Sequence, residues 1–268
     1  MNLIGELAAL ATSFFFAFTA LIFTTTGRMV GSQVTNRMRL TFALLYLVIL
    51  NLILFREPLP FSAESSRWLW LSLSGIIGLS LGDAFLFQAL VSLGPRLGTL
   101  LLSLAPIFGS IIAWIFFGEI LSALQITGIV LALAGIAWVV LSHEEPPNTP
   151  HGHTRRGVIF GVLAGLGQAV GLVLSKQGMF GEFSPFQANA IRMLAAVIFI
   201  WVWTTFDGKL GATVIVLRER PRVLGWLALG AFVGPVLGVS ASLLAVQHSE
   251  IGVASTLIPA TKSHTLFC

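Results

Sequence analysis

Leu7 to Thr26 read LAALATSFFFAFTALIFTTT, twenty residues without a charge, and apolar runs of similar length recur seven more times along the chain. A helix needs about 20 mostly apolar residues to cross the hydrocarbon of a bilayer. Inside lipid every backbone N–H and C=O must find a partner within the protein, so only helices and closed barrels cross it. A barrel strand alternates apolar and polar residues, whereas these runs are apolar throughout. They predict eight spanning helices, at 7–26, 36–55, 68–93, 97–117, 121–141, 157–175, 186–206 and 223–246. A ninth run begins near Ile251 and soon meets Lys262.

Composition supports the same solvent. The 268 residues are 56% hydrophobic and 10% charged, with a mean hydropathy of +0.93. Soluble domains carry about 25% charged residues. The net charge of +4 is small, and the basic residues stand singly between apolar runs. That excludes a nucleic-acid surface, which needs clustered Lys and Arg. The single cysteine, Cys268, allows no internal disulfide. The first run lacks a basic segment ahead of it, so it reads as a spanning helix rather than a cleaved signal. The Pro-rich stretch SHEEPPNTPHGHTRR, 142–156, reads as a linker. His151 and His153 lie in it without a third ligand or a cysteine, so no metal or cofactor is expected.

The linker divides a chain that repeats itself, into a first half at 1–141 and a second at 157–268. NRMRLTFALL from Asn36 resembles NAIRMLAAVI from Asn189, which sets Arg39 on Arg192 at a shift of 153. Gly78 and Gly82 fall on Gly234 and Gly238 at a shift of 156. Five spans per half is an odd number, so the halves enter the membrane in opposite senses. Inverted repeats of this kind mark secondary transporters, with the substrate site near the midplane between the repeats.

The chain resembles the drug/metabolite transporter superfamily, and within it the EamA-type family. The likeness rests on the doubled five-span pattern, on Arg39 and Arg192, and on the region Gly82 to Val140, with LAPIF, FFGE and GIVLALAGI in order. It implies an all-α membrane protein of ten helices in two inverted halves around a central cavity. It implies that small metabolites cross by alternating access, without enzymatic chemistry; a membrane scaffold or assembly subunit is the alternative, and the inverted repeat argues against it. A small-molecule substrate and the lipid bilayer are then the partners, a proton or another ion is a candidate third, and a bacterial plasma membrane is the expected location. Oligomeric state is open. The family's second Pro and second Gly–Glu find no counterparts here.

Several residues are candidates for the pathway. Asp83 sits in the middle of the third span, and a carboxylate within hydrocarbon is by default a functional hypothesis. Its repeat equivalent is Val239, so a carboxylate role belongs to one half alone. Arg39 and Arg192 either snorkel to the interface or attract anions at a cavity mouth. Gln88 and Gln168 are polar groups within spans, as is Asn51, and such groups hydrogen-bond between helices or to substrate. Gly78, Gly82, Gly234 and Gly238 let backbones approach closely. Pro106 and Pro235 each remove a backbone donor within a span, which favours a kink and a hinge. An intramembrane protease is the rival class, but Asp83 has no second membrane aspartate to share a proton with.

Two expectations concern the ends. At a shift of 156, Cys268 falls on Ile112, and PATKSHTLFC stands where the first half has SLAPIFGSII. This predicts eight full helices and a partial ninth, in a truncated chain whose last residues come from a shifted frame. A non-functional fragment of a transporter is therefore an alternative reading. For orientation, the side with the N-terminus holds Arg56, Arg67, Lys176 and Arg192, and the other side holds ten basic residues. The positive-inside rule then sets the N-terminus outside. The family resemblance implies cytoplasmic termini instead. Labelling a cysteine placed at position 148 from outside intact cells would overturn the charge-based orientation.

Overall fold

The computed structural model describes residues 3–118, 121–142, 153–181 and 183–248. Among them every regular element is helical, and eight helices are long and apolar enough to cross a membrane. The spans are Leu7–Val30, Ser32–Phe55, Ser65–Leu93, Pro95–Phe116, Ala123–Leu141, Thr154–Gly178, Pro185–Phe206 and Pro221–Ala245, taken below as first to eighth. The ninth run, His151 and most of the linker lie outside the described residues.

The boundaries differ from the sequence expectation where polar residues continue a helix. The polar stretch between the first two apolar runs is not a loop. The first helix continues to Val30 and the second starts at Ser32, with Gly31 alone between them. Gly31 has φ 90°, a conformation that residues with a side chain rarely adopt. Thr26 donates back to the Ile22 carbonyl at 3.0 Å, so its hydroxyl needs no water in the apolar wall. The stretch after the seventh span also folds, as a helix at Leu210–Glu219.

Three spans are interrupted. The third runs as an α-helix over Ser65–Ser74, widens to a π-helix over Gly75–Gly82, and resumes as α over Asp83–Leu93. The eighth does the same, with its π-segment at Phe232–Gly238. A shift of 156 sets one π-segment upon the other. Pro235 lies inside the second and has no N–H to continue an α ladder. The fourth span breaks at Ser103 and Leu104, just ahead of Pro106, which sits in the first turn of Ala105–Phe117. That is where proline is tolerated, because the first turn's N–H groups are unpaired anyway.

The halves pack by exchange. The first span lies on the eighth, the third on the sixth, and the second on the seventh. In repeat terms, span 1 of each half meets span 3 of the other, and the second spans of the two halves, called the middle spans below, meet each other. A core of Leu40, Leu47, Leu71, Ile191, Met193 and Leu243 fills the centre of this arrangement. The fifth span stands at the edge, where Ile136 is its one buried residue.

Candidate functional site

The π-segments shape the site because they change where carbonyls and side chains point. A π-turn interrupts the α ladder, and such bulges recur at functional sites. In the first half, Asn36 Nδ2 donates to the Ser80 carbonyl at 3.1 Å. In the second, Asn189 Nδ2 donates to the Pro235 carbonyl at 2.8 Å and to Ser240 Oγ at 3.0 Å. Each middle span thus uses an asparagine to satisfy a π-segment carbonyl within its own half. These anchors were legible only as part of the repeated NxxR, without a role.

Asp83 follows directly on the first π-segment and is 5% exposed. Its carboxylate forms an ion pair with the Arg39 guanidinium and accepts from Gln168 Nε2 at 2.6 Å. Both oxygens are therefore engaged. Arg39 is bound on every side. Its Nε donates to Asn36 Oδ1 at 3.0 Å and its Nη2 to the Leu79 carbonyl at 3.3 Å. Its charge also lies 4.9 Å from the Phe87 ring centroid and 5.8 Å from that of Phe23, within cation–π range.

Arg192 is the repeat partner of Arg39, and its surroundings differ. It is 2% exposed, and among the described residues its Nε and Nη1 have no hydrogen-bond partner. Neither does Asn189 Oδ1, the counterpart of the Asn36 oxygen that Arg39 uses. Arg192 Nη2 instead reaches across to the third span, 3.6 Å from where a Cβ on Gly78 would sit. Neither arginine snorkels to the interface, contrary to one of the two sequence readings, because each lies on the inward face of a central span.

Asp83, Arg39, Gln168 and Arg192 all line one cavity of about 750 Å³ between the two halves. Its wall is mostly apolar and includes Phe16, Phe23, Phe87, Leu172 and Val239. Pro106, Pro235 and Gly234 also reach it. Ser13, Thr19, Arg96 and Ser242 line it too and were not singled out from the sequence. Scattered hydroxyls in apolar runs and, for Arg96, a lone charge at the start of the fourth span were their only signals.

The remaining candidates lie elsewhere. Gln88 accepts from Ser32 Oγ at 2.9 Å and ties the third span to the second, away from the cavity. Asn51 donates to the Leu47 carbonyl at 2.8 Å and faces the Phe186 carbonyl at 3.5 Å, where the second span meets the seventh. Gly78 and Gly82 pack against Gly171 and Gly167, so close that a Cβ on Gly167 or Gly171 would sit 2.9 Å from the opposing Cα. Gly234 packs on Thr19 and Gly238 on Phe16. Gly75, which the spacing of paired glycines missed, makes the tightest approach. A Cβ there would sit 2.1 Å from the Arg192 carbonyl oxygen.

Fold and site together define a polytopic all-α membrane protein of two repeats, with a charged cluster buried beside a cavity between them. The family model described as "EamA-like transporter family" matches residues 3–141 and again 155–266. The chain belongs to the EamA-like transporter family. A solved structure titled "Crystal structure of protein" is similar to it, with a TM-score of 0.53 and 18% sequence identity over 95% of this chain and 93% of that one. That likeness is one of fold alone. No curated protein matches the chain.

Proposed function

We propose that this protein carries small organic molecules across the membrane by alternating access, with the cavity between the halves as the substrate site. The carrying observation is the cavity of about 750 Å³ lined by spans from both halves, with buried charged side chains inside those spans. Sites for drug-sized ligands span roughly 300–1,000 Å³ and are mostly apolar with a few placed polar groups. Charges within a membrane protein usually mark a pathway, since they are costly to bury. Asp83 is the only carboxylate in the eight described spans, which makes it the candidate for a coupling proton. The two π-segments and the break before Pro106 flank the cavity and are candidate hinges. The two halves are 1–141 and 157–268, joined by the 142–156 linker, and the membrane is the plasma membrane of a bacterium.

Purified protein in proteoliposomes tests this. A panel of labelled small metabolites is expected to show saturable flux above protein-free vesicles. Leu172→Trp, which fills the cavity, is expected to abolish it. The double variant Arg39→Gln/Asp83→Asn removes both charges together, so neither is left unpaired. It is expected to lose dependence of flux on a pH gradient. Flux in Leu172→Trp equal to that of the parent would place the pathway elsewhere, and unchanged pH dependence in the double variant would end the proton role.

A further inference from the structure

The charges in the cavity do not balance. Three arginines line it together with one carboxylate, Asp83; Arg96 is exposed, whereas Arg39 and Arg192 are buried. Arg39 takes that carboxylate, and Gln168 takes its other oxygen. Asp83 lies near enough for its charge to act on Arg192, yet forms no ion pair with it. Arg192 is left buried, facing the cavity, with Nε and Nη1 unpartnered among the described residues. Native structures rarely leave buried polar groups unpaired, and each such group calls for an explanation. A buried charge without a partner is costlier still. A guanidinium presents a planar fork that matches a carboxylate with two parallel hydrogen bonds.

We infer that Arg192 is the substrate-binding residue of the cavity and that the substrate is an organic anion with an apolar body. This rests on the transport reading for its physiological meaning, but not for its test. A carboxylate at Arg192 would supply the partner that this buried guanidinium lacks among the described residues. The body would lie against the Phe16, Leu172 and Val239 wall. A cationic headgroup finds no such vacancy, because both Asp83 oxygens are already engaged. Val239 contributes directly, since it stands where a second aspartate would have paired Arg192.

The probes are 2-naphthoate, 2-naphthamide and 2-naphthylmethylamine, which share one apolar body and carry an anionic, a neutral and a cationic head. Binding is measured calorimetrically to the full chain in lipid nanodiscs, independently of any flux. The parent is expected to bind naphthoate at least tenfold more tightly than the other two. Arg192→Gln is expected to reduce naphthoate to the level of the amide, while Arg192→Lys retains part of the preference. The anion–amide ratio in the parent needs no variant, so a misfolded mutant does not blunt the test. Equal affinity for naphthoate and naphthamide, no binding by either, or tightest binding by the amine overturns the inference. So does an Arg192→Gln variant that keeps the anion preference. Anion binding through Arg192 without naphthoate flux in proteoliposomes would leave this assignment standing and count against the transport reading instead.

Discussion

Arg39 and Arg192 occupy the same place in the two repeats and live in different environments. Each is a buried arginine three residues after an asparagine that satisfies a π-segment carbonyl. Arg39 is held by Asp83, Asn36, the Leu79 carbonyl and the Phe87 ring. Arg192 keeps two nitrogens unpartnered among the described residues, and so does the neighbouring Asn189 oxygen. One residue makes the difference, because Asp83 in the third span corresponds to Val239 in the eighth. The repeat supplies a symmetric scaffold, and a single departure from symmetry leaves one positive charge uncommitted. A buried ion pair satisfies itself, whereas a buried unpaired ion is free to bind a ligand.

The largest expected effect separates the two arginines by stability. Arg39→Ala strands Asp83 without its partner, and breaking a buried pair costs about 3–5 kcal/mol. Arg192→Ala removes a charge that the described protein does not pair, so its cost is expected to be about 1 kcal/mol or less. Thermal unfolding of both variants in the same detergent checks the order. Equal losses would mean that Arg192 is as firmly bound as Arg39, and the contrast would fail.

The next effect tests how the second middle span is seated. Gly75→Ala would push a methyl onto the Arg192 carbonyl, 2.1 Å from the new carbon. Overpacking of this kind costs about 1–3 kcal/mol. Gly128→Ala serves as the matched control, since nothing lies within 4 Å of its Cβ position. A melting temperature lowered in Gly75→Ala and unchanged in Gly128→Ala is the expected result. If the two behave alike, the third span does not approach Arg192 as closely as described.

The smallest expected change in stability comes from restoring the symmetry. Val239→Asp gives the eighth span the carboxylate that the third has. An acid there is expected to pair with Arg192, leaving the fold within about 1 kcal/mol of the parent. Naphthoate affinity should fall at least tenfold, because the new carboxylate competes for the same fork. Undiminished naphthoate binding would show that position 239 does not address Arg192.

The third and sixth spans offer a parallel contrast with the first and eighth. Gly78 and Gly82 meet glycines of the sixth span, so backbone touches backbone. Gly234 and Gly238 meet Thr19 and Phe16, so side chains of the first span fill the space and line the cavity. The glycine spacing is the same in both spans, but what lies opposite differs.

Much of this protein was legible in its sequence because lipid leaves few solutions. Apolar runs of spanning length must be helices, and that argument placed all eight described spans to within a few residues. The repeat, the family and the candidacy of Asp83, Arg39, Arg192 and Gln168 followed from residue marks in order. Tertiary packing decided the rest. The π-segments have no compositional signature beyond their glycines, because an extra residue per turn depends on which neighbours accept the displaced carbonyls. Gln88 and Gln168 look alike in sequence, yet one faces a neighbouring helix and the other Asp83, since the difference is rotation about a helix axis. Asp83 and Val239 could be aligned by counting. That the carboxylate turns to Arg39 rather than Arg192 required the third, second and seventh spans to be set side by side, because the reach of a side chain across an interface is a matter of distance, and sequence carries none.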